Sequence, residues 1–178
     1  ENVQHFWALV PFHYGILIVL LGHVAAFLLP RQVLAWNNQP LRLYVLEVAA
    51  LIFGLLTLIG LLSVLARRAG NVKVRTVTSV VDWILYALLL VQVGSGIYVA
   101  VFHPWGSSWF AAAATPYLWS IVKLNPDISY VVAMPLVVKI HIVTASLLVG
   151  FFPFTRLVHI LVVPNHYLWR KPQVVRWN

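Results

Sequence analysis

Trp7-Ala-Leu-Val-Pro-Phe-His13-Tyr-Gly-Ile-Leu-Ile-Val-Leu-Leu-Gly-His23-Val-Ala-Ala-Phe-Leu-Leu29 contains no Asp, Glu, Lys or Arg. A helix needs about 20 apolar residues to cross a hydrocarbon core of roughly 30 Å, so this run suffices for one crossing. It ends at Pro30, where helix continuation is disfavoured, and a polar loop with Asn37, Asn38 and Pro40 is expected to follow. Working outward, similar runs cover about 44–66, 80–102 and 132–163. None alternates apolar and polar residues as a membrane β-strand would. The chain as a whole is 62% hydrophobic and 9% charged, which rules out an ordinary water-soluble surface. The expected fold is therefore an all-α transmembrane bundle. It forms a single integral-membrane domain over 1–178, with four spans at about 7–29, 44–66, 80–102 and 132–163 and a tail at 164–178. Pro153 lies inside the fourth run and Pro164 at its end, so a kink is expected near Pro153.

The net charge of +8 would suggest a nucleic-acid partner in a soluble protein. Here the basic residues cluster beside the apolar runs, where they act as topology signals, and no nucleic-acid role is expected. Arg67, Arg68, Lys73, Arg75, Arg156, Arg170, Lys171 and Arg176 lie in the second connection or from the end of the fourth run onward. The opposite loops hold Arg31, Arg42 and Lys123. This asymmetry puts the basic loop and the C-terminus on the cytoplasmic side of a prokaryotic inner membrane. Residues 103–132 combine Pro104, Gly106, Pro116 and Pro126 with Trp105, Trp109, Tyr117 and Trp119. That mixture suits a connection lying among lipid headgroups on the outer surface.

The chain has no cysteine, which removes iron–sulfur ligation, disulfides and thioether attachment of haem together. With four acidic residues in all, no nucleophilic or hydrolytic constellation can be assembled either. Chemistry rests with histidine. His13, His23, His141 and His159 fall within apolar runs, where an imidazole must find a partner. A bond to a backbone carbonyl or a neighbouring helix would satisfy any one of them. Their depths suggest more. His13 and His159 stand near the inner ends of the first and fourth runs, and His23 and His141 near the outer ends. Two antiparallel helices that each present one histidine at both depths can hold two b-type haems, His13 with His159 and His23 with His141. Two axial imidazoles leave the iron no open position, so the role is electron transfer. The rises differ, however. Ten residues span about 15 Å and eighteen about 27 Å, so tilt and the Pro153 kink must absorb the difference. Lys139 and Arg156 lie within a turn of His141 and His159, where they can pair with haem propionates or snorkel to headgroups. Gly15, Gly22, Gly54, Gly94, Gly96 and Gly150 suit either a flat cofactor or close helix packing.

The patterns His13-Tyr-Gly15 with Gly22-His23, and Phe152-Pro-Phe-Thr-Arg156-Leu-Val-His159 continuing through Val163-Pro164, Tyr167-Leu168, Arg170-Lys171 and Val174-Val175-Arg176, carry a resemblance over essentially the whole chain. They resemble the gamma subunit of membrane-bound respiratory nitrate reductase, a dihaem cytochrome b joining a quinol pool to an iron–sulfur subunit and a molybdenum catalytic subunit. The resemblance implies the same two ligand pairs, with His13 and His159 nearer the catalytic subunits. It also implies quinol oxidation near the outer haem, around Gly22 and His23, with proton release outside. A quinone-binding lysine of the family falls at Arg42 or Leu43. The family has five transmembrane helices, one of them ahead of the first ligand-bearing helix. Part of the quinol pocket is then expected outside this sequence or from another subunit.

Three rival readings remain open. The same subunit can run in reverse in nitrite oxidation, and a related haem b subunit can serve a sulfur or heterodisulfide reductase. A haem-free anchor or transporter would use its histidines as helix glue or proton relays.

Overall fold

The computed structural model describes residues 2–160, with side chains for 9–158. Every regular element among them is helical. Helix α1 is Asn2–Leu28. Leu29 then leaves helical geometry, and Pro30 opens a short helix, α2 (Pro30–Asn37). A polar loop was expected there, but Pro30 sits at the first helical position, where its missing N–H costs nothing. Helix α3 (Pro40–Gly70) begins the same way and exceeds the expected run by about a turn at each end. After α4 (Val72–Thr76), Ser79 and Asp82 form a reciprocal capping box that starts α5 (Val80–Phe102).

The outer connection is largely helical. Helix α6 (Gly106–Trp109), a π turn at Phe110–Ala114 and α7 (Thr115–Val122) follow one another without a break. A 3-10 turn at Ile128–Tyr130 leads to α8 (Leu136–Phe151). The run from Val132 to Val163 is therefore not one kinked helix. Helix α8 closes at Phe151, a 3-10 turn spans Phe152–Phe154, and Thr155 is extended at φ −115° and ψ 167°. Pro153 has no N–H to continue the helix. Thr155 then caps the next turn, Arg156–Ile160, its hydroxyl accepting from Leu157 N at 3.2 Å. Residues 161–178, including the tail at 164–178, lie outside the described residues.

Four segments, Leu9–Leu28, Pro40–Gly70, Val80–Phe102 and Leu136–Phe154, are long and apolar enough to cross a membrane. Leu17, Leu21, Val48, Ile59, Val91 and Val149 stay exposed, as lipid-facing side chains do. The chain is a multi-pass membrane protein. Helix α1 packs on α3, α3 on α5, and α5 on α8, while α1 and α8 share no extended interface among the described residues. The core between the helices centres on Leu61, Leu85 and Leu89, with Phe12, Ile16, Tyr86 and Leu148 against it.

Van der Waals contact takes over from the hydrophobic effect in lipid, so close backbone approach governs the α1–α3 seam. A Cβ at Gly60 would lie 2.6 Å from Phe12 N, and one at Gly15 would lie 2.7 Å from Phe53 O. Gly15 and Gly60 thus serve helix packing. A Cβ at Gly54 would meet only Ile97, at an ordinary 3.5 Å.

The outer connection is fastened on two sides. Trp119 Nε1 donates to Phe27 O at 3.1 Å, and the two rings stack at 4.7 Å. Thr115 Oγ1 donates to Ala26 O at 3.3 Å. On α3, Glu47 Oε1 accepts from Ser107 N at 2.8 Å and from Ser107 Oγ at 2.5 Å. Asn37 Nδ2 donates to Ser107 and Ser108 Oγ, at 2.9 Å each.

Gly60→Val drives a branched side chain into the α1 backbone and is expected to cost about 1–3 kcal/mol. Gly54→Ala should change stability little. Thermal unfolding of both variants in detergent tests this, and equal melting temperatures would refute the seam.

Candidate cofactor site between two membrane helices

His13 and His23 share a local arrangement. His13 Nδ1 lies 2.8 Å from Leu9 O, and His23 Nδ1 lies 2.8 Å from Val19 O, each four residues back on α1. A carbonyl can only accept, so Nδ1 carries the proton and Nε2 keeps its lone pair. Metal-binding histidines usually have this tautomer and this kind of partner. Both residues are exposed on the helix.

His141, on α8, is held by a different helix. Its Nε2 lies 3.0 Å from Gln92 Nε2, and its Nδ1 lies 3.0 Å from Ser95 Oγ. The Gln92 amide is oriented by Thr144, whose hydroxyl contacts Gln92 Oε1. The amide nitrogen then donates to Nε2, so Nδ1 bears the hydrogen and Ser95 Oγ accepts it. Ser95 in turn donates to Gln92 O at 3.1 Å. Gly96 completes the seat, since a Cβ there would lie 2.9 Å from His141 Cε1.

The rings of His23 on α1 and His141 on α8 have centroids 6.3 Å apart and planes tilted by 39°. With about 2 Å for each metal–nitrogen bond, two imidazoles sharing one metal ion have centroids about 6 Å apart. The pair therefore fits an axially ligated iron in spacing and in tautomer. The Gln92 amide, on a flexible stem, has to release Nε2 for that. Phe110, in the π turn, meets the edge of His23 at 5.3 Å. Gly22, Gly94 and Gly150 have open space where a Cβ would stand, which suits lipid or a flat group. Among the described residues no three His, Cys, Asp or Glu side chains converge on one point.

The remaining expected residues are found as follows. The side chain of His159 lies outside the described ones, though its backbone is in the Arg156–Ile160 turn. Arg156 Nε pairs with Asp82 Oδ1 at 3.2 Å, and its Nη2 donates to Val77 O at 3.2 Å. Asp82 Oδ2 also accepts from Ser79 N at 2.9 Å. That turn is thus tied to the start of α5. Lys139 Nζ donates to Val132 O at 2.6 Å. Arg42 lies over the Trp36 ring at 5.1 Å, and Trp36 Nε1 donates to Arg42 O at 3.3 Å. Gln92, Ser95, Thr144 and Phe110 were not anticipated. Gln92 and Ser95 could have been, because polar residues inside a span require partners, and Thr144 follows His141 by three residues on one face.

Fold and site define a class: a multi-pass helical membrane protein with an imidazole pair bridging two helices that share no extended interface among the described residues. The family model for the nitrate reductase gamma subunit matches residues 1–178, and the chain belongs to that family. It is 34% identical over 169 residues to the nitrate reductase gamma chain of Bacillus subtilis (strain 168), covering 93% of this chain and 75% of that one. It is also 34% identical over 171 residues to the respiratory nitrate reductase 2 gamma chain of Escherichia coli (strain K12), covering 93% and 74%. A nitrate reductase-like protein NarX of Mycobacterium tuberculosis (strain CDC 1551 / Oshkosh) is 29% identical over 167 residues, 25% of its length. The chain is accordingly a membrane subunit of the nitrate reductase type of oxidoreductase.

Asp82 is nearly buried and serves both the capping box and the ion pair, whereas Arg156 is two-thirds exposed at 66%. Asp82→Ala is expected to cost about 1–3 kcal/mol through the lost cap and stranded donors. Arg156→Ala should cost about 1 kcal/mol or less, as solvent screens its half of the pair. Denaturant unfolding of the two variants should rank them in that order.

Proposed function

We propose that this chain is a dihaem cytochrome b that carries electrons between the quinone/quinol pool and the iron–sulfur subunit of a molybdenum nitrate reductase. The observation that carries this reading is the His23–His141 pair, spaced for one iron between helices that share no extended interface among the described residues. Haem ligated by two imidazoles supplies reversible one-electron chemistry with no open position for a substrate. The chain's own residues fix where that happens. His23 and His141 would hold the outer group, each through Nε2. His13 and His159 would hold the inner one. In support, His13 repeats the Nδ1–carbonyl arrangement of His23, and the turn carrying His159 is tied to α5 through Arg156 and Asp82.

Arg156 stands three residues before His159, and Lys139 two residues before His141. Both remain the candidates for propionate partners. Quinol is assigned to the outer end, at Gly22 and His23 on α1 with Arg42 in the first turn of α3. Open space at Gly22 and the aromatic edge of Phe110 on His23 favour it. The end bearing Arg67, Arg68, Lys73 and Arg75 is assigned to the cytoplasm by its charge. There the iron–sulfur subunit would dock, against that loop and the Tyr167–Asn178 tail. The direction of flow follows the partners' potentials, so nitrite oxidation would use the same path in reverse.

One observation favours a second reading. The Gln92 bond to His141 is also what a haem-free anchor would use to join α5 to α8.

Pyridine haemochrome analysis of the purified chain separates the two, with two haems b expected per chain and none for the anchor. His23→Ala and His141→Ala should remove the same haem in a redox titration, and His13→Ala and His159→Ala the other. Loss of one common haem in His13→Ala and His23→Ala would overturn the pairing. Deleting residues 167–178 should abolish co-purification of the iron–sulfur subunit while leaving both haems. Normal co-purification would remove the tail from the docking surface.

A further inference from the structure

Gln92, Ser95 and Gly96 occupy one face of α5, at positions i, i+3 and i+4, and all three touch the imidazole of His141 on α8. This receptacle differs from the arrangement at His13 and His23, where the ring leans on a carbonyl of its own helix. The own-helix acceptor is part of the backbone and no substitution of a side chain removes it. At His141 the acceptor for Nδ1–H is a side chain, and a single hydroxyl decides whether it exists.

We propose that Ser95 is the positioning residue of His141, holding Nδ1–H so that Nε2 is the nitrogen left for the iron once the Gln92 amide releases it, and setting the basicity of that nitrogen. The proposal rests on His141 being an axial haem ligand. Ser95 is placed to act in both respects. Its Oγ is 3.0 Å from Nδ1, and its own hydrogen is spent on Gln92 O at 3.1 Å, so the oxygen faces the ring as an acceptor. The bare backbone at Gly96 lets the ring come close enough to reach Ser95, because the imidazole fills the space where a Cβ would be. A ring that donates from Nδ1 to an acceptor gains electron density at Nε2 and favours the more positive, oxidised iron. Without that acceptor, the donor nitrogen is left unpaired in an apolar interior and the reduced state is relatively favoured.

The test is a potentiometric titration of the full chain, monitored in the visible haem bands, for wild type, Ser95→Ala and Ser95→Thr. Ser95→Ala should keep both haems and shift the reduced-to-oxidised ratio of the His23–His141 haem about tenfold toward reduced. That is about 59 mV upward for a one-electron couple. The other haem should keep its potential, and Ser95→Thr, which retains a hydroxyl, should return the first to its wild-type value. Unchanged potentials in Ser95→Ala would overturn the proposal while leaving the dihaem reading intact. So would equal loss of the outer haem from both variants, since one of them still carries the hydroxyl. A wild-type chain with no haem band would instead overturn the functional reading itself, and with it this inference.

Discussion

An imidazole inside hydrocarbon has two ring nitrogens and no water to satisfy either, and an unmet polar group there costs roughly 2–7 kcal/mol by transfer scales. Much of the arrangement around the bundle's outer half answers that constraint. His13 and His23 satisfy one nitrogen each within α1, which fixes their tautomer before any other helix arrives. His141 has no such internal solution in this structure and draws on Gln92 and Ser95. The bonds from His141 to two side chains of α5 are also what bind α8 to its neighbour at that level. A polar need on one helix thus becomes a packing instruction for two.

The same logic accounts for the division of labour among the small residues. Gly15 and Gly60 let α1 and α3 meet backbone to backbone, and this pair forms the solid side of the molecule. Gly96 gives up its side-chain volume to the His141 ring. With α1 held by α3 and α8 held by α5, the two histidine-bearing helices are fixed in position without an extended interface of their own among the described residues. Rigidity is supplied from the flanks, and the seam stays available.

The helical class and the existence of four spans were legible because about 20 consecutive apolar residues leave a backbone no alternative in lipid. His23 and His141 stood out as candidates because intramembrane imidazoles are few, and the fold brings their rings within 6.3 Å of each other. Other features depended on tertiary context. Helix α2 was hidden because Asn37, Asn38 and Pro40 read as a loop, although Pro30 is a good first residue for a helix. Gly15 could be assigned to a cofactor or to packing with equal right until α3 was seen against it. Arg156 read as a propionate partner by its distance from His159 along the chain. Its nearest carboxylate, Asp82, lies 74 residues away in sequence and meets it only through the fold. Ser95 and Gln92 look like ordinary polar interruptions until the ring of His141 is placed on them.

The extended residue at Thr155 changes what the spacing of His141 and His159 means. In an unbroken helix, eighteen residues make five turns, and the angular phase of the second residue is dictated by the first. Here the screw is cut after Phe151, and the turn beyond it takes its bearing from Asp82 on another helix. Phase on one side of the cut no longer propagates to the other. A residue gained or lost around Phe152–Phe154 would then appear as a change of length in the connection, not as a rotation of 100° imposed on everything downstream. Two positions that look like consecutive marks on one rod are indexed separately, one near the middle of α5 and the other to its start.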